Sequence, residues 1–158
     1  IIYENEPMEK NAMSQQPKAL TTTFFNWKEL SVSILQGLVI TAGTLFMYQY
    51  AVQQGYDETL TRTMTFTVLI TANIFLTLIN RSFYYSIVTT IRYKNNLVPL
   101  IVFSTIAITG IILFVAPVTR FFGFQHMTMI QLGIATAIGF VSVIWFELVK
   151  IFRRMRAR

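Results

Sequence analysis

Acidic and basic residues are missing from four long stretches of this 158-residue chain, residues 30–56, 63–80, 95–119 and 121–146, and gather in the joints between them. The stretches are 27, 18, 25 and 26 residues long. A helix rises 1.5 Å per residue, so about 20 mostly apolar residues cross roughly 30 Å of hydrocarbon, and each stretch holds one span. The pattern predicts transmembrane helices over about 30–50, 63–80, 97–116 and 130–149. Residues 1–29 then form a cytoplasmic connector, 30–149 the membrane bundle and 150–158 a basic cytoplasmic tail. The second stretch is the shortest and the most polar of the four.

Composition selects a membrane bundle over a soluble helical core: 54% of residues are hydrophobic, 13% are charged and the mean hydropathy is +0.54. The fold class expected is all-α, an integral membrane four-helix bundle with both termini cytoplasmic. The length leaves room for one such bundle and for no separate soluble catalytic domain. Cysteine is absent, which excludes disulfides and thiolate metal sites. A net charge of +6 would suit nucleic acid, yet the basic residues lie where membrane topology puts them, so no nucleic acid partner is expected. Three precede the first span (Lys10, Lys18, Lys28), three join the second to the third (Arg81, Arg92, Lys94) and five close the chain (Lys150, Arg153, Arg154, Arg156, Arg158). Only Arg62 and Arg120 fall on the other side, and eleven against two places the termini and the middle joint in the cytoplasm.

Local signals fill in this frame. Glu4 to Lys18 is polar, with Pro7 and Pro17, and reads as a connector. Ile1 stands where an initiating Met would, and the start has no signal-peptide layout, so a fragment of a longer protein is expected; a shorter native chain starting at Met8 or Met13 is the other reading. Aromatic residues flank the first span, Phe24, Phe25 and Trp27 on the inner side and Tyr48, Tyr50 and Tyr56 on the outer, as headgroup-level rings do. Asp57 and Glu58 mark a short outer loop that forces an antiparallel hairpin. In the middle joint Tyr84, Tyr85 and Tyr93 accompany the basic residues as an interfacial flank. Pro99 suits the first turn of the third span and Pro117 closes it. Gly133 with Ala137, and Ala135 with Gly139, recur at i, i+4 and allow close helix packing.

Few residues can carry chemistry. In the second span Asn73, Thr77 and Asn80 follow i, i+4, i+7 and share one helical face near and below the membrane midplane. Their oxygens can replace the hydration shell of a hard cation, or Asn73 can hydrogen-bond a neighbouring helix while the threonines bond back to carbonyls one turn earlier; spacing alone favours the second reading. Glu147, followed by Lys150 at i+3 and Arg153 at i+6, reads as a structural ion pair whose cations snorkel to the interface, with an ion-pathway carboxylate as the alternative. His126 has no second His or carboxylate nearby in sequence and is expected to be solvated. The chain has no Gly-rich phosphate loop, no paired His and no nucleophile with its base. Its one aspartate, Asp57, falls outside, so it offers no cytoplasmic aspartyl nucleophile.

At these residues the sequence resembles the C-terminal membrane region of P-type cation-transporting ATPases, closest to the calcium-ATPase-like branch. The run Tyr3-Glu4-Asn5-Glu6-Pro7-Met8-Glu9-Lys10-Asn11-Ala12-Met13 is similar to the connector that opens this region. Thr63 through Asn73 (TMTFTVLITAN) is similar to the eighth membrane helix, and Glu147-Leu148-Val149-Lys150-Ile151-Phe152-Arg153 to the end of the tenth. The resemblance implies an ion pump driven by an aspartyl-phosphate cycle, with the nucleotide site, the phosphorylated Asp and most ion ligands upstream. No cofactor belongs to this segment, and ATP and Mg2+ are implied for the parent. Its implied partners are the lipid bilayer, the other domains of the pump and the transported cation. The eighth-helix carboxylate ligand of calcium pumps aligns with Asn73, which keeps an oxygen ligand and loses a negative charge. Ser14-Gln15-Gln16-Pro17-Lys18 stands where the family often carries Arg-Pro-Pro-Arg.

Two functions follow as expectations. The first is the supporting helical bundle of an ATP-driven cation pump, inactive alone, in the plasma membrane, with Asn73 as a peripheral metal ligand. The second is a self-contained four-helix membrane protein, a small channel or an accessory subunit.

Overall fold

The computed structural model describes residues 27–80 and 97–156. The expectations placed on the connector up to residue 26, on the middle joint 81–96 and on the last residues of the basic tail lie outside the described residues. The described chain is helical, with α1 at Trp27–Gln53, α2 at Glu58–Ile79, α3 at Leu97–Phe114, the short α4 at Ala116–Phe121 and α5 at Met129–Arg156. Four helices are long and apolar enough to cross a membrane, at Leu30–Gln53, Glu58–Ile79, Leu97–Phe114 and Met129–Phe152.

Three of these helices outrun the charge-free stretches that announced them, α1 by three residues at its start. α2 begins five residues before Thr63, because its first turn accommodates charge: Glu58 and Arg62 pair across i, i+4 at 2.7 Å. α5 continues through Arg156, so the basic tail begins as a helical extension of the last span. Absence of charge marks hydrocarbon, and a helix is free to extend beyond it.

The helix ends have specific causes. α1 stops at Gly55, whose φ of +72° suits a residue without Cβ; Tyr56 N–H then donates to Ala51 C=O at 3.1 Å and Gly55 N–H to Val52 C=O at 3.0 Å. Gly123, at φ +64°, repeats the same closure after α4, with Phe124 N–H on Thr119 C=O and Gly123 N–H on Arg120 C=O. Between α3 and α4 the backbone at Val115 is extended, and Pro117 starts the new helix in its first turn. A continuous helix would require a Pro117 N–H for the Leu113 carbonyl, and proline has none. The Thr119 hydroxyl compensates by donating to Ile112 C=O at 2.9 Å and Val115 C=O at 3.0 Å. α5 opens on a reciprocal cap: Thr128 N–H donates to Gln131 Oε1 at 2.9 Å and Gln131 N–H to Thr128 Oγ1 at 3.3 Å.

α2 is the central helix. It packs most extensively on α5 and then on α1, whereas α3 touches the bundle along one edge. Met47, Ala51, Leu60, Met64, Val68, Leu113, Met127 and Ala135 form one buried cluster, and Ile40, Ala72, Ile79, Val143 and Phe146 another. Of the two small-residue pairs in the last span, Ala135 and Gly139 are buried, while Gly133 and Ala137 are exposed. A Cβ on Gly139 would stand 2.9 Å from the Val68 carbonyl and 3.1 Å from the Ala72 nitrogen, so glycine is what lets α5 lie against the α2 backbone. Gly43 does the same for α1 and α5, since a Cβ there would overlap the Ser142 hydroxyl at 2.1 Å.

Candidate functional site

α2 carries an unusual number of hydroxyls for a membrane helix, and most are consumed locally. Thr63, Thr65, Thr67 and Thr77 donate to the carbonyls of Thr59, Thr61, Thr63 and Asn73 at 2.7–2.9 Å. Such back-bonding satisfies a polar group within its own helix and leaves little for a ligand. At the Asp57 end the loop before α5 is tied to the same helix. The Gln125 N–H donates to Thr63 Oγ1 at 3.0 Å, and the rings of Phe66 and Phe124 lie with centroids 5.0 Å apart.

The three residues expected on one polar face have separate fates. Asn80 caps α2 and exchanges amide hydrogen bonds with Gln36 of α1, at 3.0 Å and 3.3 Å. Thr77 turns its hydroxyl back to Asn73 C=O. Asn73 is exposed, and among the described residues its amide side chain meets no hydrogen-bond partner. The interhelical bond favoured from spacing is therefore absent among the described helices. Asn73 continues an exposed stripe with Arg62 and Leu69, spaced seven and four residues apart along one side of α2. It lies six residues before Ile79, about 9 Å along the helix from that end.

Glu147 and Lys150 occupy the Asn80 end, where both are 4% exposed. Lys150 Nζ lies 3.5 Å from Glu147 Oε2 and 5.3 Å from the centre of the Phe146 ring, and it donates to the backbone carbonyl of Ile79 in the last turn of α2. The expected snorkelling of Lys150 to the interface is thereby corrected: its ammonium turns inward. The last four carbonyls of a helix lack intrahelical donors and carry the negative end of its dipole, so an ammonium from α5 satisfies the acceptor and the field together. A buried charge requires such pairing, and Glu147 supplies the formal counter-charge. The side chain of Arg153, the other cation of that motif, lies outside the described residues.

Sequence reading missed Gln36. It is 4% exposed, and its reciprocal bond to Asn80 fastens α1 to the same end of α2 that Lys150 fastens to α5. A glutamine in the apolar first half of a long charge-free run was the available signal, because an amide in hydrocarbon needs a partner. His126 is exposed. Among the described residues no three His, Cys, Asp or Glu side chains come together, so the carboxylates here do not assemble a cation site by themselves.

No curated protein matches the chain. Residues 1–152 match the family described as cation transporting ATPase, C-terminus, and this integral membrane chain, the C-terminal membrane part of such an ATPase, belongs to that family.

Proposed function

We propose that this bundle supports the ion-carrying helices of an ATP-driven cation pump and lends them one ligand, the side-chain oxygen of Asn73. The observation that carries the reading is the exposed Asn73 amide on the central helix, which meets no hydrogen-bond partner among the described residues. A polar amide at that depth is expensive against lipid, whereas against other helices of the pump it can bond a cation or a neighbouring side chain. An amide oxygen is a hard neutral donor, suited to an alkali or alkaline-earth cation whose charge is balanced by ligands elsewhere in the pump. The calcium-ATPase-like branch is the reading that the motifs resemble most, and the missing carboxylate leaves the cation open.

The excess of Lys and Arg in the basic joints supports a cytoplasmic side for both termini and the 81–96 segment, and the plasma membrane is the proposed location. In this reading ATP, Mg2+ and the phosphorylated Asp belong to the parent protein, and the isolated chain neither hydrolyses ATP nor forms an aspartyl-phosphate. Replacing Asn73 by Ala in the full-length pump tests the ligand assignment. Half-saturating cation concentration for ATP hydrolysis is expected to rise about three- to ten-fold, with the maximal rate retained, since a single hydrogen-bond-scale contact is worth roughly 1 kcal/mol. An unchanged cation dependence returns Asn73 to a packing role.

A further inference from the structure

We infer that Lys150 is a positioning residue, whose ammonium on the Ile79 carbonyl fixes the axial register of α2 against α5 and so sets the depth at which Asn73 is presented. The inference rests on the ligand reading of Asn73 given above. Three observations carry it. First, α2 and α5 run parallel with a constant offset: Gly139 sits against Val68, Ala72 and Val143 share one buried cluster, and Lys150 bonds Ile79, each pair 71 residues apart. Lys150 is the directional, charged bond in that series, added to the close packing at Gly139 and Val143, which carries no directional bond between the two helices. Second, the bond is made at a terminal carbonyl of α2, where no intrahelical donor competes for it. Third, the neighbouring residue Asn80 is fastened to Gln36 of α1, so the end of α2 is pinned from both sides, about 9 Å from Asn73. At the Asp57 end the tie runs through the loop before α5 and not through an ammonium on α5: among the described residues Gln125 meets α2 at Thr63 and Thr59 and its amide faces the Asp57 carboxylate, beside an aromatic pair.

The role is distinct from support alone because it acts on position. A helix held at one end transmits an axial slip along its whole length, and a cation site discriminates displacements of tenths of an ångström. Removing the anchor should therefore weaken cation binding while leaving the chemistry of ATP hydrolysis alone.

The test uses the full-length pump. Lys150→Met is expected to raise the half-saturating cation concentration roughly two- to thirty-fold, the range for residues that couple distant sites, with the maximal rate at saturating cation preserved. Lys150→Arg, which keeps the charge and donors on a bulkier head in a buried site, is expected to fall between wild type and Lys150→Met. The register is read independently by replacing Ala72 and Val143 with cysteine in protein freed of other cysteines, this segment having none of its own. Oxidative cross-linking of that pair should fall in Lys150→Met and fall less in Lys150→Arg. Should Lys150→Met fail to accumulate, the double variant Gln36→Leu/Asn80→Leu loosens the same end without stranding an amide and takes the same two readouts. An unchanged cross-link overturns the inference whatever transport does, and a lost cross-link with unchanged cation affinity overturns its coupling to the ion site. If Asn73→Ala proves inert, the ligand reading fails by itself, while the cross-link still reports whether Lys150 holds the register.

Discussion

α2 and α3 invert what their hydropathy suggests. α3 is the most apolar helix of the four, yet it meets the others along one edge and exposes Leu100, Phe103, Ile106, Ile108, Ile111 and Phe114. α2 comes from the shortest and most polar charge-free stretch, yet it lies at the centre, with Met64, Val68, Ala72 and Ile79 buried. In a bilayer the lipid tails are as apolar as leucine, so hydrophobicity gives no reason for one helix to leave lipid for another. Small residues that allow close backbones, and polar groups that need partners, supply that reason. Polarity within a span thus marks the helix that faces protein, and uniform apolarity marks the one that faces lipid.

The comparison can be broken first at its tightest point. Gly139→Leu forces a side chain against the Val68 carbonyl and the Ala72 nitrogen and should destabilise the bundle by about 3 kcal/mol, seen as loss of folded full-length protein in a detergent denaturation series. Gln36→Leu comes next: it leaves the Asn80 amide without its partner in a nearly buried place, and about 2 kcal/mol should be lost in the same assay. Thr119→Val removes the hydroxyl that serves the Ile112 and Val115 carbonyls and should cost about 1 kcal/mol, visible as faster hydrogen exchange at the α3–α4 break. Phe103→Leu, on the side of α3 that the other described helices leave uncovered, where the ring is 72% exposed, should change stability by less than about 0.5 kcal/mol. A cost there as large as that of Gln36→Leu would mean that α3 is covered by protein after all.

Much of the fold was legible because the bilayer imposes a length. Four charge-free stretches gave four long helices, and Pro117 announced the break after α3, since a missing N–H is a local fact. Helix starts were less legible, because the Glu58 and Arg62 pair lets α2 begin outside hydrocarbon. The i+3 relation of Glu147 and Lys150 could be read directly, but the partner that turns Lys150 inward is a carbonyl 71 residues away, and no periodicity within one helix reveals it. The two small-residue pairs of α5 were equivalent in sequence; only the position of α2 decides that Ala135 and Gly139 are the packed pair. Asn73 was visible as a polar residue in a span, while its exposure depended on which side of α2 the other helices occupy.

The central claim is that the exposed side of α2 at Asn73 is covered by the rest of the pump, whereas the exposed side of α3 at Phe103 is covered by lipid. Single cysteines at these two positions of the full-length protein, labelled with an environment-sensitive fluorophore and reconstituted in bilayers containing brominated lipid, compare them directly. The account predicts strong quenching of the label at position 103 and little at position 73. Equal quenching at both would place Asn73 against lipid and contradict its role in the pump.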